Sequence, residues 1–246
     1  MSGGVLILGA TSAIARGCAK ALAARGHALY LAGRQRDELK RLAADLEIRY
    51  GVRVEVGRFD VLATKQHAAF LQGVEESLGG LQGVVCAIGE LGSPERDARD
   101  PDAIARLIQT NFAGSASILT HCANRLESHG SGFIVGLTSV AGDRGRQSNY
   151  SYGAAKGGLS LFLQGLRNRL FDTGVRVITV KPGFVDTAMT FGLPGLFLVA
   201  DPDTVGRRIV RALDGRVDVI YVPWFWRFIL LIIRAIPESL FKRLKL

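Results

Sequence analysis

The sequence has few of the residues that build disulfide bonds and metal sites. It contains three cysteines in 246 residues, none of them in a Cys-x-x-Cys pair, and four scattered histidines. Small secreted domains depend on paired cysteines, and zinc sites need clustered cysteine and histidine. The composition therefore predicts a reduced, cytoplasmic protein without a metal site, and we expect no nucleic-acid partner.

Long hydrophobic runs, linkers and repeats are also missing. The apolar run at 228–233 has six residues, whereas a helix needs about 20 to cross a bilayer. The run at 4–8 has no basic residue before it, unlike a signal peptide. Without a linker or a low-complexity segment, the length predicts one domain at 1–222, followed by a tail at 223–246.

Strand-length apolar runs alternate with helical stretches along this domain. Predicted strands lie at 4–8, 28–32, 52–58, 83–87, 133–137, 175–180 and 217–222, and predicted helices at 36–50, 64–78, 101–127, 150–172 and 201–214. Such an alternation requires right-handed crossovers between parallel strands. It predicts an α/β fold with a single Rossmann-like, doubly wound, parallel seven-stranded sheet and helices on both faces. A C-terminal amphipathic helical extension follows the sheet.

A turn of small residues, 9–15, follows the first predicted strand and leads into a helix that runs to Gly26. Backbone amides at the start of such a helix can approach a pyrophosphate. Turns of this kind usually carry three glycines, but here Ala13 and Ala15 replace two of them. The candidate phosphate contacts are Gly9, Thr11, Ser12, Ala13 and Ile14.

The second predicted strand ends at Gly33 and Arg34, without the acidic residue that binds the adenine ribose in most NAD sites. Arg34 could pair with a 2′-phosphate, since guanidinium binds phosphate with good geometry. This favours NADP over NAD as the cofactor. The alternative is that Arg34 is a solvated residue at the start of a charged helix.

Tyr152 and Lys156 stand four residues apart in a predicted helix, so their side chains share one face. A free tyrosine has a pKa near ~10, and an adjacent ammonium lowers that pKa. The pair would then suit proton exchange with a carbonyl group. The pair by itself could arise by chance. It becomes significant because it follows the strand, the small-residue turn and the helix described above.

In this context the chain resembles a short-chain dehydrogenase/reductase from residue 3 to about residue 222. The family's catalytic tetrad corresponds to Asn111, Ser139, Tyr152 and Lys156, with the serine thirteen positions before the tyrosine. The family's Asn-Asn-Ala-Gly element appears as Cys-Ala-Ile-Gly at 86–89, without either asparagine. Besides Asn111, Tyr152 and Lys156, the resemblance implies cofactor contacts at Asp60, Val61, Ala87, Gly89, Pro182, Gly183, Val185 and Thr187.

The resemblance also implies the chemistry, in which a nicotinamide exchanges hydride with a carbonyl or alcohol carbon. Ser139 would hydrogen-bond the carbonyl oxygen, and Tyr152 would exchange the proton. Lys156 would hold the nicotinamide ribose and lower the tyrosine pKa. Asn111 would interrupt its helix and hold a water. A turn cap for Ser139 and a polar interruption of a helix for Asn111 are the structural alternatives.

The loop between the serine and the tyrosine of the tetrad carries Arg144 and Arg146. These arginines could bind a phosphate or carboxylate of the substrate, or they could pair with Asp143 or face solvent. The family's substrate lid, 187–200, has no charged residue and suits an apolar substrate. The sharpest prediction is a keto group near an anionic head on a lipid carrier. In this respect the chain is similar to reductases of polyprenyl-phosphate-linked keto-pentoses.

The tail begins with two tryptophans, and Arg227 and Arg234 flank its apolar run. This pattern is typical of a helix that lies in a membrane interface. It predicts a cytoplasmic enzyme that binds peripherally to the inner face of the cytoplasmic membrane. The tail could instead cover the sheet, cap the substrate pocket or enter a dimer interface. A homodimer or homotetramer is expected by analogy with the family.

Two other functions stay open. One is a reductase of free or acyl-linked ketones, or a dehydrogenase of a hydrophobic alcohol. The other is a non-catalytic NADP-binding scaffold at a membrane. The complete tetrad argues against the scaffold, because a binding module has no need for Ser139 and Tyr152 together.

Overall fold

The computed structural model describes residues 3–192 and 198–244, so the middle of the predicted lid (193–197) and Lys245 lie outside the described residues. Seven strands form one sheet in the order β3-β2-β1-β4-β5-β6-β7, and every neighbouring pair is parallel. The strands are β1 Gly4–Leu8, β2 Leu29–Gly33, β3 Val54–Arg58, β4 Leu81–Cys86, β5 Gly132–Leu137, β6 Val175–Pro182 and β7 Val219–Val222.

Helices connect the strands and continue into the tail. They are α1 Ala13–Ala23, α2 Arg36–Tyr50, α3 His67–Leu78, α4 Pro94–Asp97, α5 Pro101–Ile108, α6 Gly114–His129, α7 Tyr150–Arg169, α8 Pro202–Arg211, α9 Trp226–Ala235 and α10 Glu238–Phe241. The predicted doubly wound α/β fold and the helical extension of the tail are confirmed.

Alternation of side chains along the strands creates two apolar layers. In β1, which is buried along its whole length, Val5 and Ile7 belong to the layer that α1, α2 and α8 cover. Leu6 and Leu8 belong to the opposite layer, which α3, α6 and α7 cover. Because successive strand residues point to opposite faces, a fully apolar strand is the one that needs helices on both sides.

The strand order reverses beside β1, which lies between β2 and β4. Open α/β sheets bind ligands at the carboxyl ends of the strands at this switch point. Gly9 ends β1 here with a φ of 72°, and a Cβ on it would lie 2.9 Å from the carbonyl oxygen of Ala87. The position therefore requires glycine, which explains why Gly9 remains in a turn that otherwise carries alanines.

One predicted helix is divided in the structure. The stretch 101–127 forms α5 and α6, separated by a five-residue π-helical turn, Gln109–Ala113. Such turns insert an extra residue and occur often at functional sites. The remaining predicted helices and strands are present, with ends displaced by a few residues.

The tail folds back on the domain. Trp226 and Leu230 of α9 are buried with Val140, which follows the catalytic serine position. None of the helices in the described ranges combines the length and the apolar composition that crossing a bilayer requires.

Candidate active site

The four tetrad positions come from separate elements at the carboxyl edge of the sheet. Ser139 lies two residues beyond β5 and is the N-cap of the 3₁₀ turn Val140–Asp143. Tyr152 and Lys156 lie in the first two turns of α7, and Asn111 lies in the π-helical turn. The structure thus brings both the serine loop and the start of α7 to the edge where the sheet binds ligands.

Asn111 explains the break in its helix. Its buried side chain accepts a hydrogen bond from the Glu90 amide (2.8 Å) and donates one to the Glu90 carbonyl (2.7 Å). These two bonds fasten the π-helical turn to the loop after β4. The implied interruption of the helix is therefore present, while the water held by Asn111 stays a prediction.

Lys156 is fully enclosed, and backbone carbonyls hold its ammonium. Its Nζ donates to the carbonyls of Ile88 (2.9 Å) and Leu137 (3.1 Å). Burial lowers the pKa of Lys156 to about 8, because desolvation disfavours the charged form. A Cβ on Gly89 would lie 2.9 Å from Lys156 Nζ and 3.2 Å from Asn111 Oδ1. Glycine therefore leaves room beside both polar atoms at this position.

Tyr152 and Ser139 interact directly. Burial raises the pKa of the Tyr152 phenol, and a hydrogen bond with the Ser139 side chain lowers it in part. The net shift of the Tyr152 pKa is upward, opposite to the predicted lowering by the Lys156 ammonium, because desolvation of the phenol is the largest effect. Ser139 Oγ also accepts from the Ala141 amide (3.1 Å). The serine is thus a turn cap and a partner of the tyrosine at the same time.

The glycine turn and its surroundings fit a dinucleotide. Ser12 caps α1 by accepting from the Ala15 amide, and Thr11, Ala13 and Ile14 surround this helix start. Its unpaired amides and the close approach at Gly9 suit a pyrophosphate. Other predicted cofactor positions line the same edge. Ala87 and Gly89 follow β4, Asp60 and Val61 follow β3, and Arg34, which is exposed, follows β2.

One contact at this turn was missed by the sequence reasoning. Arg16 donates to the carbonyl of Thr11 (3.1 Å) and forms an ion pair with Glu38 at the start of α2. The pair fastens the phosphate turn to the helix that follows Arg34. No local pattern marks it, since the two residues are 22 positions apart.

The segment after β6 carries predicted cofactor contacts, and it also packs against the tail. Pro182 ends the strand, Val185 is buried, and the Thr187 hydroxyl lies 3.3 Å from that of Thr190. A Cβ on Gly183 would overlap the indole of Trp226, so the tail helix packs directly on this glycine. That the tail packs on the domain was one of the alternatives left open by the sequence, but its contact with this particular cofactor segment was not predicted.

The two loop arginines have different surroundings. The Arg144 guanidinium donates to carbonyls of the tail and pairs with Glu238, so it neither pairs with Asp143 nor faces solvent. Arg146 is half-buried, and its guanidinium has no hydrogen bond or ion pair within the described ranges. It lines a cavity of about 360 Å³ together with Gln147, Phe241 and Lys242. The predicted substrate role stays a prediction for both arginines.

Known proteins match this chain over most of its length. The model of the short chain dehydrogenase family matches residues 4–193. An uncharacterized oxidoreductase of Mycobacterium tuberculosis (strain ATCC 25618 / H37Rv) is 34% identical over 240 residues, which cover 98% of this chain and 96% of the relative. An uncharacterized oxidoreductase of Streptomyces coelicolor is 35% identical over 243 residues, which cover 98% and 95%.

Solved structures agree with the fold. A short-chain dehydrogenase from Sphingobium yanoikuyae in complex with NADPH has a TM-score of 0.83 and 27% identity, and the match covers 96% of this chain and 97% of that chain. A short chain dehydrogenase from Burkholderia cenocepacia J2315 in complex with NADP also has a TM-score of 0.83, at 23% identity, over 98% and 97%. The latter likeness concerns the fold alone.

The predicted enzyme class is confirmed by these matches: the protein is an oxidoreductase that interconverts a carbonyl and an alcohol with a nicotinamide cofactor. The chain belongs to the short-chain dehydrogenase/reductase family.

Proposed function

We propose that the protein is an NADPH-dependent reductase of a carbonyl group on an apolar or lipid-linked substrate. The observation that carries this proposal is the placement of Ser139, a buried Tyr152 and the enclosed ammonium of Lys156 at one edge of the sheet. A pKa raised by burial keeps the phenol protonated at neutral pH, and the protonated phenol is the form that reduction requires. The scaffold alternative gives no reason for a serine and a tyrosine to meet in a closed site.

Each residue of the site has a role in proton transfer. Ser139 donates a hydrogen bond to the substrate carbonyl oxygen and stabilises the charge that develops there. Tyr152 delivers its proton to that oxygen. Lys156 uses two of its three N–H donors on Ile88 and Leu137, which leaves the third for the nicotinamide ribose. When bound, NADPH supplies the hydride.

NADPH is the proposed cofactor because of the charge after β2. Arg34 follows Gly33 with an exposed side chain and without an acidic residue beside the strand end. An exposed guanidinium there suits a 2′-phosphate. The solved relative from Sphingobium yanoikuyae, whose structure contains NADPH, supports the same choice.

The substrate is proposed to combine an apolar part with an anionic part. The described portion of the lid exposes Met189, Phe191 and Leu198, which would give an apolar chain a contact surface. Arg146 has free donors for a phosphate or carboxylate. A keto sugar on a polyprenyl phosphate fits both features. A free or acyl-linked ketone would use the lid and leave Arg146 unpaired.

The outer face of α9 supports a peripheral position on the inner face of the cytoplasmic membrane. We define this outer face as Phe228, Leu231 and Ile232, which are 55, 65 and 67% exposed, together with Trp224, which lies just before the helix and is 56% exposed. Arg227 and Arg234 lie at its two ends. An apolar helix face between cations matches the interface of an anionic bilayer. A homodimer or homotetramer remains our expectation by analogy.

Turnover by the full-length protein with NADPH and a panel of ketones, including lipid-linked ones, tests the function. Tyr152→Phe removes the proton donor and keeps the ring, so it should reduce kcat by at least a hundredfold. NADPH binding, followed by the fluorescence of the bound nicotinamide, should stay within about threefold. Turnover that survives the substitution would disprove the proposed role of Tyr152. An absence of turnover in the wild type together with tight NADPH binding would favour the scaffold.

A further inference from the structure

The inner face of α9, which consists of Trp226 and Leu230, packs behind the active site. Trp226 and Leu230 are 3% and 2% exposed, and they form one apolar cluster with Val140. Val140 is bonded to Ser139, the residue that meets the tyrosine hydroxyl. The tail helix therefore supports the catalytic serine from behind through a single residue.

The same indole supports a second segment of the site. Trp226 packs against Gly183, which has no Cβ to hold it away, and meets the ring of Phe184 edge-on at 5.3 Å between centroids. Gly183 follows Pro182 in the segment predicted to face the nicotinamide. One tryptophan of the tail thus contacts both the serine turn and the proposed cofactor segment.

Arg144 fastens the tail in this position. Its Nη1 donates to the carbonyls of Ile233 (3.1 Å), Arg234 (3.0 Å) and Ile236 (2.7 Å) at the end of α9. The last carbonyls of a helix lack partners within the helix, and they carry the negative end of its dipole. The largely covered guanidinium of Arg144 therefore supplies hydrogen-bond donors to this helix end.

The contacts of Arg144 extend into α10. Its Nη2 donates to Glu238 (2.8 Å), and its guanidinium lies 3.9 Å from the centroid of the Phe241 ring. The Arg144 side chain is only 15% exposed, whereas Glu238 is 76% exposed, so the ion pair lies at the surface while the guanidinium itself is largely covered. They join the loop after Ser139 to the tail along both of its helices.

The preceding residue fastens the same turn to the sheet. Asp143 accepts from the Tyr221 hydroxyl (2.6 Å) of β7 and pairs with Lys181 of β6, and its side chain is 3% exposed. These two contacts of Asp143 fix the position of the turn relative to β6 and β7. Adjacent residues of one loop thus connect the catalytic turn to the sheet and to the tail.

We propose that Arg144 is a positioning residue of the reductase, acting through the tail. By holding Trp226 and Leu230 against Val140 and Gly183, it sets the position of Ser139 and of the segment that faces the nicotinamide. This inference rests on the proposed function. It implies that a correctly seated tail is needed for turnover in solution, in the absence of any membrane.

Arg144→Met in the full-length chain tests the proposal, because it keeps an unbranched apolar stem and removes every donor. Hydrogen exchange of the α9 amides and of residues 140–144 should become at least tenfold faster. The kcat should fall roughly ten- to a hundredfold, since displacing a catalytic group by about 1 Å can cost that much. The Kd for NADPH, measured by nicotinamide fluorescence, should change less than threefold.

Three further variants define the comparison. Glu238→Gln removes only the exposed ion pair and should change exchange and kcat by no more than twofold. Arg146→Met lies in the same loop and should leave exchange of α9 unchanged. Arg208→Met, at an exposed position of α8, controls for the effect that losing one positive charge has on turnover.

Two results would overturn the proposal. One is unchanged exchange of α9 and residues 140–144 in Arg144→Met. The other is faster exchange with an unaltered kcat, which would leave Arg144 a purely structural contact. If the wild type shows no turnover, the proposed function fails. The exchange data then still decide whether Arg144 holds the tail on the turn after Ser139.

Discussion

Burial determines the state of the ionisable residues in the tetrad. Lys156 is 3% exposed, and burial lowers its pKa from 10.5 to about 8. Tyr152 is 8% exposed, and burial raises its pKa. Each shift favours the neutral form. The phenol is therefore a ready proton donor, and the amine can accept and release a proton near neutral pH.

The lowered pKa of Lys156 predicts how stability depends on pH. Below pH 8 the amine is charged in both states, and its burial costs free energy. Between pH 8 and 10.5 the folded state loses the proton while the unfolded state keeps it, so the free energy of unfolding rises with pH. Relative to Lys156→Met, the wild type should gain roughly 3 kcal/mol across this window, at about 1.4 kcal/mol per pKa unit.

Urea unfolding of both proteins at pH 7, 8, 9 and 10 measures this gain. Burial raises the pKa of the Cys18 and Cys122 thiols in both proteins, so their contribution cancels in the difference. Cys86 interacts with Lys156, so both proteins should carry Cys86→Ala. A constant difference between the two unfolding free energies at all four pH values would mean that Lys156 is not desolvated in solution.

At the residue scale, we expect Arg34 to determine the preference for NADPH over NADH. Arg34→Asp replaces a cation with an anion where a 2′-phosphate would lie, so the KM for NADPH should rise at least thirtyfold. The KM for NADH should change by less than fivefold, because NADH has no phosphate to repel. Steady-state kinetics of the wild type and the variant with each cofactor measure these KM values. An equal rise for both cofactors would show that Arg34 does not meet the 2′-phosphate.

Among the helices, α1 and α8 pack backbone to backbone. A Cβ on Gly206 of α8 would overlap the backbone of Gly17 in α1, and a Cβ on Gly17 would collide with the carbonyl of Pro202. Two glycines therefore set the separation of the helices that cover one apolar layer. The same packing holds the N-terminus of α1 at the phosphate turn.

Gly206→Ala should consequently destabilise the protein by about 1–3 kcal/mol or more, because the added methyl meets backbone and not a flexible side chain. Gly73→Ala is the matched control. It lies inside α3 with open space around its Cβ, and it should stabilise by roughly 0.5–1 kcal/mol. Urea unfolding measures both variants. Equal effects of the two substitutions would show that the helices can separate freely.

For the whole molecule, the tail is both a structural part of the domain and an exposed apolar surface. If the tail lies in a membrane interface, as its sequence predicts, deletion of 224–246 should release the protein from anionic liposomes. Because Trp226 and Leu230 are core residues, that deletion also opens the active-site wall. Substitutions confined to the outer face of α9 therefore test membrane binding more directly than the deletion.

Leu231→Ser with Ile232→Ser should lower partitioning into vesicles of anionic phospholipid at least tenfold, since both side chains are mostly exposed and would enter the acyl boundary. Sedimentation with vesicles measures the bound fraction. Ile48→Ser, at an 84% exposed position of α2, is the control for loss of an exposed apolar residue. If the double variant sediments as the wild type does, the outer face does not bind the membrane.

Local patterns in the sequence were sufficient for the fold, whereas the tetrad positions came from the family resemblance. Strand-length apolar runs that alternate with helical stretches identified all seven strands, and the resemblance matched Ser139 and Tyr152 through their thirteen-residue spacing. Both signals are short-range: strands and helices bury a face through their own repeat, and the doubly wound connection brings strand ends to one edge.

Only the tertiary structure decided what Arg144, Asp143 and Trp226 do. Arg144 finds its acceptors about 90 residues away, and Asp143 finds Tyr221 at a separation of 78. Contacts over such distances leave no periodic trace, because they depend on where the tail returns to the sheet. Burial of Tyr152 likewise outweighs a neighbouring cation that the sequence alone indicated, since desolvation depends on the packing of the whole chain.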